Sequence, residues 1–570
     1  MLRRDGGEPE RIPMECIGVF WECEITFCER GLWFYRFEYR NHGSDFLFVL
    51  TKGQFGEAVP SDSLPDWQQT VYSADTVAPS SLGKGIIYQI FPDRFCSSGS
   101  PKKGIPADRY IHPSFDSPLA FEGEPREDGY FLNNDYYGGD LKGITSKLGY
   151  IASLGATAIY LNPIFEAHSN HRYNTADYKK IDPLLGDEED FVTLCREAKK
   201  LGISVIIDGV FSHTGSDSVY FNREGRYPGC GAWQSGSSPY SDWYDIGRNG
   251  EYRSWWGIDT LPEVKEESSF LEFICGEDGV LHKWLSLGAS GVRLDVADEL
   301  PDRFLDAVYS RVKKESPDNT VIAEVWEDAS NKSSYGRRRR YLLGGQTDSV
   351  MNYPLKDAII SFVTGSDAET LRETEETLLE NYPPEVTRRL MNHLGSHDTA
   401  RILTALGGEP TMGRGREWQS RQKMSDAELK NAKRLLRLAA VLQYTLPGVP
   451  SLYYGDEAGM TGYSDPFNRG FYPWGNEDEE LLGLYRMLGK IKINISALDG
   501  GSFANVYSSK GVFSFVREDA NGRLYVAVNR SDRPFECILP EGFEGAELLC
   551  GHPAVTSPSD FTILYKRNDK

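Results

Sequence analysis

The sequence predicts an α/β protein: an eight-stranded (β/α)8 barrel with a loop insertion after its third strand, flanked by N-terminal and C-terminal β-sandwich domains. Three observations carry this. Between about residues 81 and 494, eight apolar strand-like runs alternate with helical stretches. On both sides of that region the chain breaks into short runs of alternating apolar and polar residues with Gly and Asn turns. Carboxylates and histidines stand at or just past the ends of several of the eight runs, the end from which barrels of this kind work.

Bulk properties agree. A chain of 570 residues is too long for one core. With 26% charged and 40% hydrophobic residues it reads as globular rather than disordered. No apolar run is long enough to cross a bilayer. Residues 1–8 carry a basic pair with no apolar core behind it, which reads as no secretory signal and a cytoplasmic protein. Nine cysteines, scattered and never in a CxxC pair, fit free thiols in a reducing compartment; Cys16, Cys23 and Cys28 sit in strand-like surroundings rather than a zinc ribbon. A net charge of -22 argues against nucleic acid as a partner. Arg337, Arg338, Arg339 and Arg340 form the one basic block, explained as solvated surface.

In chain order, residues 1–80 form the first β domain, with 32–39 and 45–50 as strand-like runs, and 77–83 as a linker. The barrel domain covers 81–494, with strands expected at 86–91, 158–165, 204–210, 291–296, 320–325, 350–353, 391–394 and 450–454. A helix over 188–201 is flagged by Asp187 at its start and Gly202 at its end. From about 212 to 269 runs an insertion rich in Trp, Tyr, Gly and Ser without periodicity, a length that in a compact domain signals function. Its aromatics Trp233, Trp243, Tyr244, Trp255 and Trp256 either roof the cleft or pack internally. Residues 495–570 form the last β domain, with strands at 512–516, 524–528 and 561–565 and a turn at Asp519-Ala520-Asn521-Gly522.

The stretch from Gly291 to Glu299 organises the chemistry. On a strand, Arg293 and Asp295 point to one face, and a guanidinium beside a carboxylate favours its charged form. Glu324, flanked by apolar residues, is placed to hold a proton through desolvation. Asp398 follows His397 at another strand end. One carboxylate to attack an anomeric carbon and one carboxylic acid to protonate the leaving oxygen are what glycosidic hydrolysis requires. Asp295 is the expected nucleophile, Glu324 the acid, and Asp398 a donor-acceptor to sugar hydroxyls. His171, His213 and His397 complete an inventory that a metal site also shares, yet no HxH or HExxH spacing is present and hydrogen bonding to hydroxyls is the more economical role.

These motifs resemble the α-amylase superfamily (glycoside hydrolase family 13), most closely its neopullulanase, cyclomaltodextrinase and maltogenic amylase branch. The resemblance runs from about Gly85 to the end: Ile87-Tyr88-Gln89-Ile90-Phe91-Pro92-Asp93-Arg94-Phe95, Leu161-Asn162-Pro163-Ile164-Phe165, and the segments 208–213, 291–299, 324–328 and 394–401. It implies Asp295 as nucleophile, Glu324 as acid/base and Asp398 as transition-state stabiliser. His213, Arg293 and His397 match hydrogen-bonding residues around the cleaved sugar, and His171 and Tyr173 the wall on which it stacks. Asp465 and Arg469 resemble the pair holding the next sugar. Trp326 either lines the aglycone side or packs, and Asp208 matches a position more architectural than chemical.

Departures shape the remaining expectations. Ser212 replaces the usual Asn of the first motif, and the loop after Phe95 lacks an Asn/Asp-rich calcium loop. No cofactor is implied and no tightly bound calcium is expected at either place. The expected partner is an α-glucan oligosaccharide, with no nucleic acid and no membrane. The first domain is short for this branch, leaving homodimerisation, starch binding and a scaffold role open. The expected function is retaining hydrolysis of α-1,4 linkages, with α-1,6 cleavage left open, in maltooligosaccharides, cyclodextrins, pullulan or starch fragments. The alternatives are a 4-α-glucanotransferase and a non-catalytic carbohydrate-binding or transporter-accessory protein, the last weakened because all three acids are present.

Overall fold

The computed structural model describes the chain apart from residues 44, 55, 83, 116, 118, 120–132, 267, 553, 569 and 570, and apart from the side chains of residues 81 and 268. Position 83 of the expected linker therefore lies outside the described residues.

Eight strands form the central sheet: β1 (Ile86–Ile90), β2 (Ala156–Leu161), β3 (Ser204–Gly209), β4 (Gly291–Leu294), β5 (Thr320–Ala323), β6 (Ser349–Val350), β7 (Met391–His393) and β8 (Val449–Tyr453). They are hydrogen-bonded in the order β6-β5-β4-β3-β2-β1-β8-β7, every pairing parallel, and a bridge between Met351 and Met391 joins β6 to β7 and closes the ring. Period-two alternation divides the apolar residues between two cores. Ile87, Ala158, Tyr160, Ile206, Ile322, Met391 and Val449 fill the interior. Tyr88, Ile159, Leu161, Val205, Ile207, Val292 and Leu294 face outward onto the helices. Each such buried aliphatic is worth about 1.5–3 kcal/mol relative to exposure, so the two layers together fix the register.

The expected strands are found, with shifted ends that have physical causes. Phe165 belongs to a separate hairpin, Phe165–Ala167 against Thr175–Ile181. β4 stops at Leu294 because Val296 adopts φ 42°, the left-handed region, which turns the chain away from the ladder. Tyr353 opens a helix, Tyr353–Thr364, capped by the Asn352 side chain accepting from the Leu355 N–H. The expected helix after the second strand spans Glu188–Lys200; Asp187 and Asp190 form a reciprocal capping box, and Gly202 takes φ +72° just past its end.

Before the barrel lie two three-stranded antiparallel sheets, one of Leu2–Arg4, Gly31–Tyr35 and Trp67–Val71, the other of Phe37–Tyr39, Phe48–Lys52 and Ala58–Pro60. The run expected as one strand over 32–39 is thus two strands in different sheets. The hairpin Glu15–Ile17/Phe20–Glu22 holds Cys16, and all three early cysteines are exposed free thiols. After the barrel, Ser502–Ser509, Val512–Asp519, Gly522–Asn529, Asp560–Arg567 and Glu547–Cys550 make a five-stranded antiparallel sheet, with Asp519 paired to Gly522 across the expected turn. Arg517 ties this sheet to the barrel by donating from Nη1 to the Thr445 carbonyl at 2.8 Å. No helix among the described residues is long and apolar enough to cross a membrane.

Candidate active site

The side chains singled out in the sequence meet at the C-terminal mouth of the barrel, where a cavity of about 770 Å³ is lined by Asp295, Glu324 and Asp398 together with His171, Tyr173, His213, Asp465 and Arg469. Strand register produces this meeting. Asp208 on β3 lies opposite Arg293 on β4. Asp295 and Glu324 are the first residues past β4 and β5, yet their backbones remain in the ladder: Asp295 N–H donates to the Gly209 carbonyl at 3.1 Å and Glu324 N–H to that of Leu294 at 3.0 Å. The two carboxylates are therefore carried on rigid backbone rather than on loops.

Arg293, fully buried, is the hub. Its Nη1 donates to Asp208 Oδ1 at 2.9 Å and to Asp295 Oδ1 at 2.8 Å, while Nη2 makes an ion pair with Glu324 Oε2 at 2.9 Å. One positive charge thus serves three carboxylates, and this changes the electrostatics expected from the sequence. Burial pushes Asp295 well above the usual carboxylate range, against the pull of Arg293 and with the push of Glu324. Burial also raises Asp208. Asp398 rises to about 7, through burial and then the neighbouring Glu324. An arginine beside Asp295 is present as expected and favours its charged form, but burial outweighs that pull.

Glu324 is gripped by more than Arg293. The apolar flank is there in buried Val325, but the carboxylate meets N–H groups. Val296 N–H donates to Oε2 at 2.8 Å, and Trp326 Nε1 donates to Oε1 at 3.1 Å. The left-handed turn at Val296 is what aims its N–H at the acid; a β-branched residue there stores roughly 1–3 kcal/mol of strain. The Trp326 ring, half-exposed, stacks on Tyr353 with centroids 4.3 Å apart.

Around these acids the histidines are neutral. Burial lowers His171 to about 3 and His213 to about 4, and takes His397 well below its ordinary value. The tautomer of His397 follows from its partners: Gln89 Nε2 donates to Nδ1 at 3.0 Å, which leaves Nε2–H to meet Tyr173 Oη at 2.5 Å. Tyr173 Oη–H in turn donates to Asp208 Oδ2 at 2.8 Å. The Tyr173 and His397 rings are nearly parallel, 5.2 Å apart, and His171 stacks on Tyr173 at 6.0 Å, a flat wall of the kind on which a sugar face packs.

At the far side Arg469 Nη1 holds Asp465 Oδ1 at 3.1 Å, and its Nε donates to the His397 carbonyl at 3.0 Å. Although burial works the other way, Arg469, His171 and Arg416 hold Asp465 below the usual range. Arg416, 3.3 Å from Asp465 Oδ2, was missed in the sequence; no motif surrounds it, and it opens a short helix, Arg416–Ser420, whose position only the fold sets. His168, Asp217 and Arg226 line the cavity as well and were likewise not foreseen. Of the insertion aromatics, Trp255 and Trp256 border the cavity, whereas Trp243 and Tyr244 are buried in packing and Trp233 stacks within the insertion on Phe221.

At the two places considered for calcium the surroundings are these. Ser212 Oγ lies 3.0 Å from His213 Nδ1 in a buried pair. Beside the loop after Phe95, buried Asp140 accepts from Ser98 Oγ at 2.6 Å and from Gly143 N–H at 2.6 Å, and the Lys102 ammonium pairs with it. Among the described residues no group of three or more His, Cys, Asp or Glu side chains is arranged to hold a metal.

Known proteins resemble this chain over most of its length. The alpha-amylase catalytic domain family matches residues 89–270 and 274–492. An amylopullulanase of Thermoanaerobacter thermohydrosulfuricus is 36% identical over 90% of this chain, which spans only 37% of that longer protein. Neopullulanase 2 of Thermoactinomyces vulgaris is 32% identical, with 79% of this chain matched to 70% of that one. Among solved structures, the type III pullulan hydrolase from Thermococcus kodakarensis superposes with a TM-score of 0.72 at 27% identity, covering 91% of this chain and 88% of the other.

Proposed function

The chain belongs to the alpha-amylase family, and from that membership we propose that it is a retaining α-glucoside hydrolase acting on α-1,4 linkages of maltooligosaccharides, cyclodextrins, pullulan or starch fragments, with α-1,6 cleavage open. Asp295 attacks the anomeric carbon as Glu324 protonates the departing oxygen; Glu324 then deprotonates a water that releases the sugar from Asp295. Asp398 and the neutral histidines hydrogen-bond the hydroxyls of the distorted ring, Tyr173 and His171 carry its face, and Asp465 with Arg469 holds the preceding sugar. The reaction needs no metal, since nucleophile and acid are both side chains.

The observation that carries this reading is the sharing of Arg293 by Asp295 and Glu324. Two carboxylates on adjacent nitrogens of one guanidinium suit the ~5–5.5 Å separation of a retaining pair better than the ~6.5–9.5 Å gap that admits an attacking water. Supporting it too, the acid is held in place by Val296 N–H and Trp326 Nε1 on its two carboxylate oxygens. The test is a reducing-sugar assay on maltooligosaccharides, wild type beside Asp295→Asn, with the first-formed anomer read by NMR. Loss of activity in the variant and an α product are expected; equal activity, or a β product, refutes the assignment.

A further inference from the structure

A second cavity of about 350 Å³ adjoins the first, and Trp255 is a wall common to both. Its floor includes Glu299, the last residue of the helical turn Ala297–Glu299 that begins immediately after Val296. Its rim includes Tyr335, 74% exposed, whose hydroxyl donates to Glu299. Charged pairs complete the lining: Arg253 with Glu263 at 3.0 Å and Lys265 with Asp245 at 3.0 Å. On the neighbouring rim of the first cavity stands Trp256, 79% exposed and stacked on Trp255 at 5.4 Å.

Backbone strain sets the two exposed rings apart. Tyr335 sits at φ 50° and Trp256 at φ 51°. Tyr335 and Gly336 form the two-residue loop of the hairpin Ser333–Ser334/Arg337–Arg338, both with positive φ. Asn-Gly is the sequence that such a loop favours, and an aromatic ring in its first position costs folding free energy. Neither ring repays that cost by burial, since both stand mainly in solvent. Strain of this kind that packing does not explain points to function.

We propose that this groove binds the distal, aglycone-side portion of an α-glucan chain, with Tyr335 and Trp256 as stacking platforms and the charged pairs meeting hydroxyls. The inference rests on the hydrolase reading above and extends it to substrate length. Its direction follows from the acid. Glu324 must stand on the leaving-group side of the cleaved bond; Val296 N–H grips that acid, and the groove opens just beyond Val296 through Glu299. Flat rings edged by charged groups are the chemistry that recognises a sugar, which offers an apolar face and a belt of hydroxyls.

The experiment compares kcat/KM on maltotriose and maltoheptaose for wild type, Tyr335→Asn and Trp256→Ala, with thermal melts of each. Tyr335→Asn should lower kcat/KM for maltoheptaose about tenfold, the loss of one stacking contact, and leave maltotriose within about twofold. Its Tm should equal or exceed that of wild type, because Asn-Gly relaxes the turn. Trp256→Ala, on the rim of the first cavity, should lower kcat/KM for maltoheptaose by more than for maltotriose. An equal effect on both substrates, no effect on either, or a fall in Tm with Tyr335→Asn would overturn the groove while leaving the hydrolase reading intact. Absence of any wild-type turnover would refute that reading, and with it the occupant named here.

Discussion

Arg293 and Glu324 meet at 2.9 Å, Nη2 to Oε2, on the guanidinium whose other terminal nitrogen holds Asp295 at 2.8 Å. The nucleophile and the acid are thus positioned against one another through a third residue rather than independently.

Removing that residue should be costly. Arg293→Ala leaves Asp208, Asp295 and Glu324 crowded in a buried site without their shared cation, which predicts a loss of about 3–5 kcal/mol in urea unfolding. Arg293→Lys offers a single ammonium where three acids need a fork, and should recover less than half of this. Wild-type stability in the lysine variant would show that the fork geometry is immaterial.

Glu324→Gln should reduce kcat on maltooligosaccharides by about 10²–10⁴. Aryl glucosides with acidic leaving groups, which need little protonation, should lose much less. Steady-state kinetics on both substrate types decides; an equal loss on each removes Glu324 from the acid role.

The pH dependence follows from burial of the acids. Asp295 is raised well above the usual range and Asp398 to about 7, so the acid limb of kcat/KM should lie above pH 4. A raised acid contributes stability that is present below its ordinary value near 3.8 and lost as pH rises toward its folded value. Asp295→Asn should therefore gain more Tm over wild type at pH 7 than at pH 4. The neutral histidines act oppositely: with His171 near 3 and His213 near 4, their contribution is whole above about pH 6.5 and fades as pH falls. A Tm gain for Asp295→Asn that shrinks between pH 4 and 7 would contradict the burial reading.

Lys102 should make calcium unnecessary at Asp140. Dialysis against a chelator is expected to leave Tm and activity unchanged, with no stoichiometric calcium by elemental analysis. Lys102→Ala strands a carboxylate that is 1% exposed, at a cost of about 2–3 kcal/mol. Retained stoichiometric calcium in the dialysed wild type would reverse the expectation.

What was legible in the sequence is what local pattern encodes. Strand runs such as 204–210 and the capped helix at Glu188–Lys200 carry their own periodicity and end signals. Asp295, Glu324 and Asp398 were recognisable because they stand just past such runs. What escaped depends on pairs distant in sequence. Val296 reads as one more strand valine, and nothing local says that its N–H is needed by a residue 28 positions away. Arg416 opens a five-residue helix whose approach to Asp465 no periodicity records. The surroundings of Asp295 are only partly visible for the same reason: the neighbour at 293 stands in the sequence, but that arginine's other two partners come from β3 and from the end of β5.

The ring of β1 to β8 closes at a bridge from Met351 to Met391, next to a two-residue β6, with Ser349 Oγ donating to the Arg389 carbonyl at 2.5 Å and Asn352 Nδ2 to Asn392 Oδ1 at 2.9 Å across the same seam. Hydrogen exchange should find the first opening there, since so few ladder bonds must break. Tyr353 lies two residues beyond that seam and underlies Trp326, so transient parting of β6 from β7 would tilt the indole and release its grip on Glu324. If exchange at Met351 and Met391 is no faster than in the longer strands, the seam is as firm as the rest of the ring.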